Sequence, residues 1–283
     1  MAVRSDVLDF YRTLPFHYHD MVAGHVDQLR RGNPLRECPP LMAALSPGTT
    51  LFDAGCGVGE LVTAAAMYHG ADAYGIDANP VAIERAREIA AAVGVDVRFD
   101  VAELPGKPDG RRYQVVTSIG VLHHTDDCLG GLEQLARERL AEGGTLVVGL
   151  YHAYGRQPLL DHFAALRRRG ADEEEQFAEF RRLAVGTRAD GQNPTFVQSW
   201  FRDQVQHPHE TQHTLAEILP VLRDNGLRLV STSINGFAEP PRDWQDPDEL
   251  AAAERRLADD SKEQLAAGRF APGFFLFAAR LTR

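Results

Sequence analysis

Apolar residues fall into short blocks along the first half of the chain, and the spacing inside the blocks alternates between two kinds. Thr50-Leu51-Phe52 is a short β-prone run, followed by Asp53 and by glycines at positions 55, 57 and 59. Leu61, Val62, Ala65, Ala66 and Tyr68 follow at helical spacing, and Gly70 stops the pattern. The block predicts a strand, a glycine turn and a helix. Residues 71–76 predict a second strand that ends at Asp77, and Asn79-Pro80 opens a helix running through Ile83, Ala86, Ile89 and Ala90 to Gly94. Further strands are expected at 95–99, with Asp100 just after, at 113–118, and at 145–150 behind a Glu142-Gly143-Gly144 turn. A helix over roughly 127–141 separates the last two. Strands alternating with helices imply a parallel sheet covered on both faces.

The second half departs from this rhythm. Residues 151–213 contain a helix opened by Asp172-Glu173-Glu174-Glu175, with Arg181-Arg182 near its end and an apolar stripe of Phe177, Phe180 and Leu183. Thr214-Leu215-Ala216-Glu217 is a capping box for a helix to Asp224, and 227–233 reads as a sixth strand. After an excursion over 234–268, with a helix near 248–267, Phe274 to Leu281 is a final apolar strand. Ahead of the first strand, residues 1–45 carry Phe10, Tyr11, Phe16, His17, Tyr18, His19 and His25. There Leu14-Pro15 breaks any single helix, while Asn33-Pro34 and Pro39-Pro40 mark a loop. The expected division is an N-terminal helical lid over 1–45, a ligand-binding core over 46–150, a cap insertion over 151–213, and a return to the core sheet over 214–283.

Composition narrows the class of protein. The chain has 283 residues and a net charge of -10, which argues against broad binding to a nucleic-acid backbone. Its three cysteines, Cys38, Cys56 and Cys128, are scattered and suggest neither a disulfide framework nor a cysteine zinc site. No run is apolar enough to span a membrane and no signal-peptide core is seen, so the expected location is the cytoplasm, as a monomer or homodimer.

The chemistry collects at predicted strand ends. Asp53-x-Gly55-x-Gly57-x-Gly59 is neither the dinucleotide pattern G-x-G-x-x-G nor a phosphate-binding P-loop. A carboxylate ahead of the glycines suits a ligand with cationic groups. Asp77 can accept from a ribose diol, Asp100 from an exocyclic amine, and Ser118 ends the fourth strand over the ligand. Asp53-Ala-Gly-Cys-Gly-Val-Gly59, Asp77, Asp100-Val-Ala-Glu-Leu-Pro105, Tyr113-Gln-Val-Val-Thr-Ser118, Val121-Leu-His-His124 and Leu140-Ala-Glu-Gly-Gly-Thr-Leu146 occur in one order.

In these segments residues 46–150 resemble the class I S-adenosylmethionine-dependent methyltransferases. The resemblance implies a Rossmann-like α/β fold: a seven-stranded sheet, parallel with an antiparallel last strand, helices on both faces and helical cap insertions. The cofactor set it implies is Asp53, Ala54, Gly55, Gly57, Asp77, Ala78, Asp100, Val101 and Ser118. In that set Gly55 and Gly57 lie along the methionine moiety, Asp77 on the ribose, Asp100 and Val101 at the adenine, and Ser118 near the methionine amine. The segments 149–156 and 203–213 resemble a bacterial small-molecule subgroup of the family.

The expected activity is therefore methyl transfer to an O, N or C atom of a small-molecule acceptor. The alternatives are another reaction of the same cofactor (aminocarboxypropyl transfer, cyclisation or a pericyclic step) or a cofactor-binding partner protein without turnover. His124 or His123 is the first candidate for a base and His209 or Tyr151 the next, although a sulfonium methyl can be transferred by proximity alone. Tyr18, His19, Tyr151, His152, Trp200 and His207 are candidates for the acceptor site. A divalent metal could be held by His207, His209, Glu210 and His213, with His123 or His124. Those residues precede a helix rather than share a helical face, so a polar acceptor-site rim is the preferred reading and a metal the lesser one.

Overall fold

A computed structural model describes residues 4–106, 110–187, 191–238 and 247–282. The strands are β1 (Thr50–Ala54), β2 (Asp72–Asp77), β3 (Arg98–Val101), β4 (Tyr113–Ile119), β5 (Leu140–Tyr151), β6 (Leu227–Thr232) and β7 (Phe274–Leu281). They form one seven-stranded sheet in the order β3-β2-β1-β4-β5-β7-β6. Six strands run one way, and β7 inserts antiparallel between β5 and β6. The order reverses between β1 and β4, which opens a crevice at the carboxyl ends of the strands.

Strand alternation assigns the two faces. Leu51, Val115 and Val147 point to one side with Val62, Ile83 and Leu41, while Phe52, Val116 and Leu146 point to the other with Leu132 and Ile218. The helices on the first face are α3 (Pro39–Ala44), α4 (Glu60–His69) and α5 (Pro80–Val93). Those on the second are α6 (Cys128–Arg139) and α10 (Leu215–Asp224). Helix α4 begins after Gly59 at φ 75 and ends at Gly70 at φ 65, both left-handed. Asn79 caps α5 by accepting from Val81 N, and the Thr214–Glu217 capping box opens α10.

Before the sheet come α1 (Ser5–Thr13) and α2 (Val22–Arg31), separated around Leu14-Pro15. The expected loop at Asn33-Pro34 and Pro39-Pro40 is instead a 3-10 turn (Pro34–Glu37) followed by α3. Proline is tolerated there because the first turn needs no donor. After β5 come α7 (Ala153–Arg168), α8 (Glu173–Leu183) and α9 (Pro194–Val205), joined by their own apolar cluster of Leu159, Phe163, Phe180 and Phe201. Helix α11 (Pro247–Ala266) packs on α7, while residues 239–246 of the expected second excursion lie outside the described residues.

Two strand boundaries differ from the sequence pattern. β3 begins at Arg98, paired with Tyr74, so Asp100 lies inside the strand and not after it. β5 already pairs at Leu140, and Glu142-Gly143-Gly144 is an irregularity within it, not a preceding turn.

Candidate active site

The loop after β1 is folded back over β2 by backbone bonds: Gly55 N and Cys56 N both donate to the Ile76 carbonyl at 2.8 Å. Gly55 sits at φ 83, and a Cβ there would meet the Val121 side chain at 2.5 Å. Gly57 is also left-handed at φ 53, but a Cβ there would meet no atom within 4 Å, so its backbone faces open space. Asp77 fixes this arrangement, accepting from Gly57 N at 2.9 Å and from Asn79 N at 2.8 Å. Asp53 is buried and accepts from the Thr117 hydroxyl at 2.6 Å. Burial pushes its carboxyl up to about 7, with the charge of Asp77 adding to the rise and the Thr117 bond opposing it. Burial raises Asp77 as well.

From this loop a cavity of about 520 Å³ runs across the sheet edge, past Asp53, Gly57, Asp77 and Ala78, to His123, His124, Tyr151 and Asp203. Tyr11, Phe16 and His17 line it from the N-terminal segment and Trp200 from α9. Its size lies within the roughly 300–1,000 Å³ of small-molecule sites.

The far end is a connected polar network. Asp203 accepts from the Tyr11 hydroxyl at 2.5 Å, the Tyr151 hydroxyl at 3.3 Å and Gln204 Nε2 at 2.8 Å. His124 and His207 are stacked with ring centres 3.7 Å apart. His124 Nδ1 donates to the His209 carbonyl at 2.9 Å, whereas His207 Nδ1 accepts from His209 N at 3.1 Å. His123 packs on the Tyr151 ring, and both its ring nitrogens are buried without a hydrogen-bond partner among the described residues. Burial holds His124 below the usual histidine range, His123 well below it and His207 at about 3, so all three rings are neutral near pH 7.

One group of residues has the proximity of a metal site: a ring nitrogen each of His124 and His207 and an oxygen of Asp203 lie within 4.8 Å of one another. Its hydrogen bonds do not suit a cation. His207 Nδ1 already accepts, so the proton of the neutral ring sits on Nε2, and metal ligation would require moving that proton or breaking the bond to His209 N. Of the metal candidates expected from sequence, His124 and His207 belong to this group. His209 Nε2 contacts the Thr125 carbonyl, Glu210 pairs with Arg156 at 2.8 Å, and His213 bonds the Thr211 hydroxyl.

Asp53, Gly55, Gly57, Asp77, Ala78, His123, His124, Tyr151 and Trp200 meet at the cavity. Other expected site residues are placed elsewhere. Ser118 is fully buried and donates to the Ala54 carbonyl, tying β4 to β1; Ile119 and Gly120 line the cavity in its stead. Ala54 itself is packed in the core. Asp100 is taken by Arg98 at 2.7 Å and the Tyr74 hydroxyl at 3.0 Å, and Val101 is half exposed; Ala102 and Leu104 line the cavity in their stead. Tyr18 bonds Arg85, and His19 bonds Gln28 and Asn193, so they brace the N-terminal segment behind Phe16 and His17. His152 caps α7 and bonds Glu254, both being 1% exposed. His209 reaches the site through its backbone. Asp203 was not singled out among the candidates; the signal was a carboxylate three positions after Trp200, on the same helical face.

Residues 52–146 match the family model described as "Methyltransferase domain". That segment is similar to the methyltransferase family. The chain is 36% identical over 108 residues to ribosomal protein L11 methyltransferase of Thiobacillus denitrificans, covering 38% of this chain and 34% of that protein. The chain thus spans about a third of that relative's length. Its fold is that of the class I S-adenosylmethionine-dependent methyltransferases. PKMT2 from Rickettsia typhi, solved with AdoHcy, superposes with a TM-score of 0.57 at 14% identity, over 87% of this chain and 53% of that one. Magnesium protoporphyrin IX methyltransferase from Synechocystis PCC 6803, solved with SAH, gives 0.51 at 18% identity, over 98% and 94%.

Proposed function

We propose that the chain binds S-adenosylmethionine and transfers its methyl group to a small-molecule acceptor held at the histidine end of the cavity. The observation that carries this reading is continuity: one cavity joins the Gly55–Gly57 loop and Asp77 to His124, Tyr151 and Asp203. The residues present fit the cofactor. Gly57 leaves open space where a side chain would stand, Asp77 retains lone pairs for a ribose diol, and the carboxylate of Asp53 suits a cationic group. When bound, the cofactor supplies an electrophilic methyl group on a sulfonium.

The chain's own work is positioning and exclusion of water. Residues 1–45 serve as a lid, which Tyr11 fastens to Asp203 of α9, and residues 151–213 serve as the cap over the acceptor. His124, oriented by the His209 carbonyl, takes a proton at Nε2. The named substrates of the relatives, a ribosomal protein and a porphyrin, do not agree, so the small-molecule reading rests on the size of the cavity and its continuity with the histidine end.

Calorimetry with S-adenosylhomocysteine tests the cofactor assignment. Parent protein should bind it, and Asp77→Ala should weaken binding by about tenfold or more, through loss of charge-assisted hydrogen bonds and of the hold on Gly57. Equal affinity in the two proteins, or no heat with the parent, would overturn it.

A further inference from the structure

We propose that the acceptor is an uncharged, ring-bearing compound that presents a hydroxyl group to His124, and that the cavity selects against anions. The proposal rests on the methyl-transfer reading above and names its substrate class.

Charge is the first observation. Five carboxylates, Glu37, Asp53, Glu60, Asp77 and Asp203, line the cavity, and no lysine or arginine among the described residues does. Arg156 lies 3.8 Å from the centre of the Tyr151 ring, but it is fully buried and its guanidinium is bonded to Glu210 and Gln204. At the acceptor end the carboxylate is Asp203, so a carboxylate or phosphate on the acceptor would be desolvated beside a like charge without a lysine or arginine among the described lining residues.

Hydrogen-bond polarity is the second. The carbonyl of His209 can only accept, so His124 carries its ring proton on Nδ1 and presents the lone pair of Nε2. Whatever docks there must donate. His207, stacked on His124, has the opposite polarity: Nδ1 accepts, and the N–H falls on Nε2, which is buried without a partner among the described residues. His123, 1% exposed at the cavity wall, adds one more donor and one more acceptor, neither partnered there. A hydroxyl is both donor and acceptor and so matches neighbouring groups of both kinds. An aliphatic amine would be held as an ammonium by the carboxylates and would have no lone pair for the methyl carbon. Phe16, Trp200 and Phe274 each line the cavity and offer aromatic surface to a ring.

The step balances without another reactant. The oxygen lone pair forms the new O–C bond to the methyl carbon, and the C–S bond breaks with its electron pair left on sulfur. The O–H bond breaks and its proton passes to His124 Nε2. An oxygen that gains a methyl before losing its proton is a strong acid, so a base weakened by burial suffices. The Asp203 carboxylate nearby stabilises the imidazolium that results.

The test uses three ring sizes: phenol, 2-naphthol and 2-hydroxyanthracene, each compared with the carboxylate and the methyl ether of the same ring. Binding is measured by calorimetry on protein saturated with S-adenosylhomocysteine. On the best-fitting ring the hydroxyl compound should bind at least about tenfold tighter than both counterparts. The preference over the ether should vanish in His124→Phe, with S-adenosylhomocysteine affinity kept. A carboxylate or ether that binds as well, or no hydroxyl compound bound up to about 1 mM, would overturn the proposal. Failure of S-adenosylhomocysteine itself to bind would instead overturn the cofactor reading, so the two are separable.

Discussion

Asp53 should cost the free protein stability above neutral pH, and Asp53→Asn should remove that cost. The carboxylate is 4% exposed, has no cationic partner among the described residues, and accepts one hydroxyl bond from Thr117. Its folded pKa stands at about 7 against 3.8 for the unfolded chain. A raised carboxylate pKa favours the protonated form in the folded state. The stabilisation is therefore fully present below pH 3.8 and is lost as pH rises to about 7. At about 1.4 kcal/mol per unit, a rise of roughly three units gives a swing of up to about 4 kcal/mol. The buried histidines His25, His123, His124 and His207 run the other way, because their depressed pKa values cost stability as pH falls below 6.5. The whole-protein pH curve mixes the two effects, and only the difference between parent and variant isolates Asp53. An asparagine oxygen still accepts from Thr117, so the variant keeps the bond and drops the charge. Urea unfolding of both proteins from about pH 4 to about pH 8.5 should give curves whose separation shifts in the variant's favour between about pH 4 and about pH 7 and then stays constant. At roughly 2–4 °C per kcal/mol the gap in Tm should approach about 10 °C. Curves that stay parallel between about pH 4 and about pH 7 would refute the assignment. The same substitution should weaken S-adenosylmethionine binding, a trade of function against stability.

Two further expectations concern the histidine-rich segments. Glu254→Ala should lower unfolding free energy by about 3–5 kcal/mol in urea titrations, because His152 Nε2 and the amides of Leu215 and Ala216 lose a buried acceptor. S-adenosylhomocysteine affinity should stay unchanged, and a large loss of that affinity would show that His152 serves the site directly. Methyl transfer should be insensitive to chelators, as the proton on His207 Nε2 requires; loss of activity on chelation, restored by a divalent ion, would show that His124, Asp203 and His207 ligate a metal after all.

The sequence by itself determined the sheet and the ligand-binding edge, because both depend on local rules. Period-two and helical spacing, glycines where φ must be positive, and capping residues such as Asn79 and Thr214 each act within a few positions of the chain. Asp53, the glycine loop and Asp77 were legible for the same reason, since a strand end followed by a glycine turn fixes where its side chains go. Ser118 and Asp100 lay beyond that reach: a register between strands decided that one ties β4 to β1 and the other faces Arg98. The acceptor end was decided by tertiary structure alone. Tyr11, His124, Tyr151 and Asp203 come from segments separated by up to 192 positions, and only packing of the N-terminal helix and α9 over the sheet edge brings them together. The histidines show the limit most plainly. His152 and His213 sit in segments as rich in aromatic and polar residues as those of His123 and His124, yet burial against Glu254 and Thr211 makes the first pair structural, while open space beside the second pair leaves it available for chemistry.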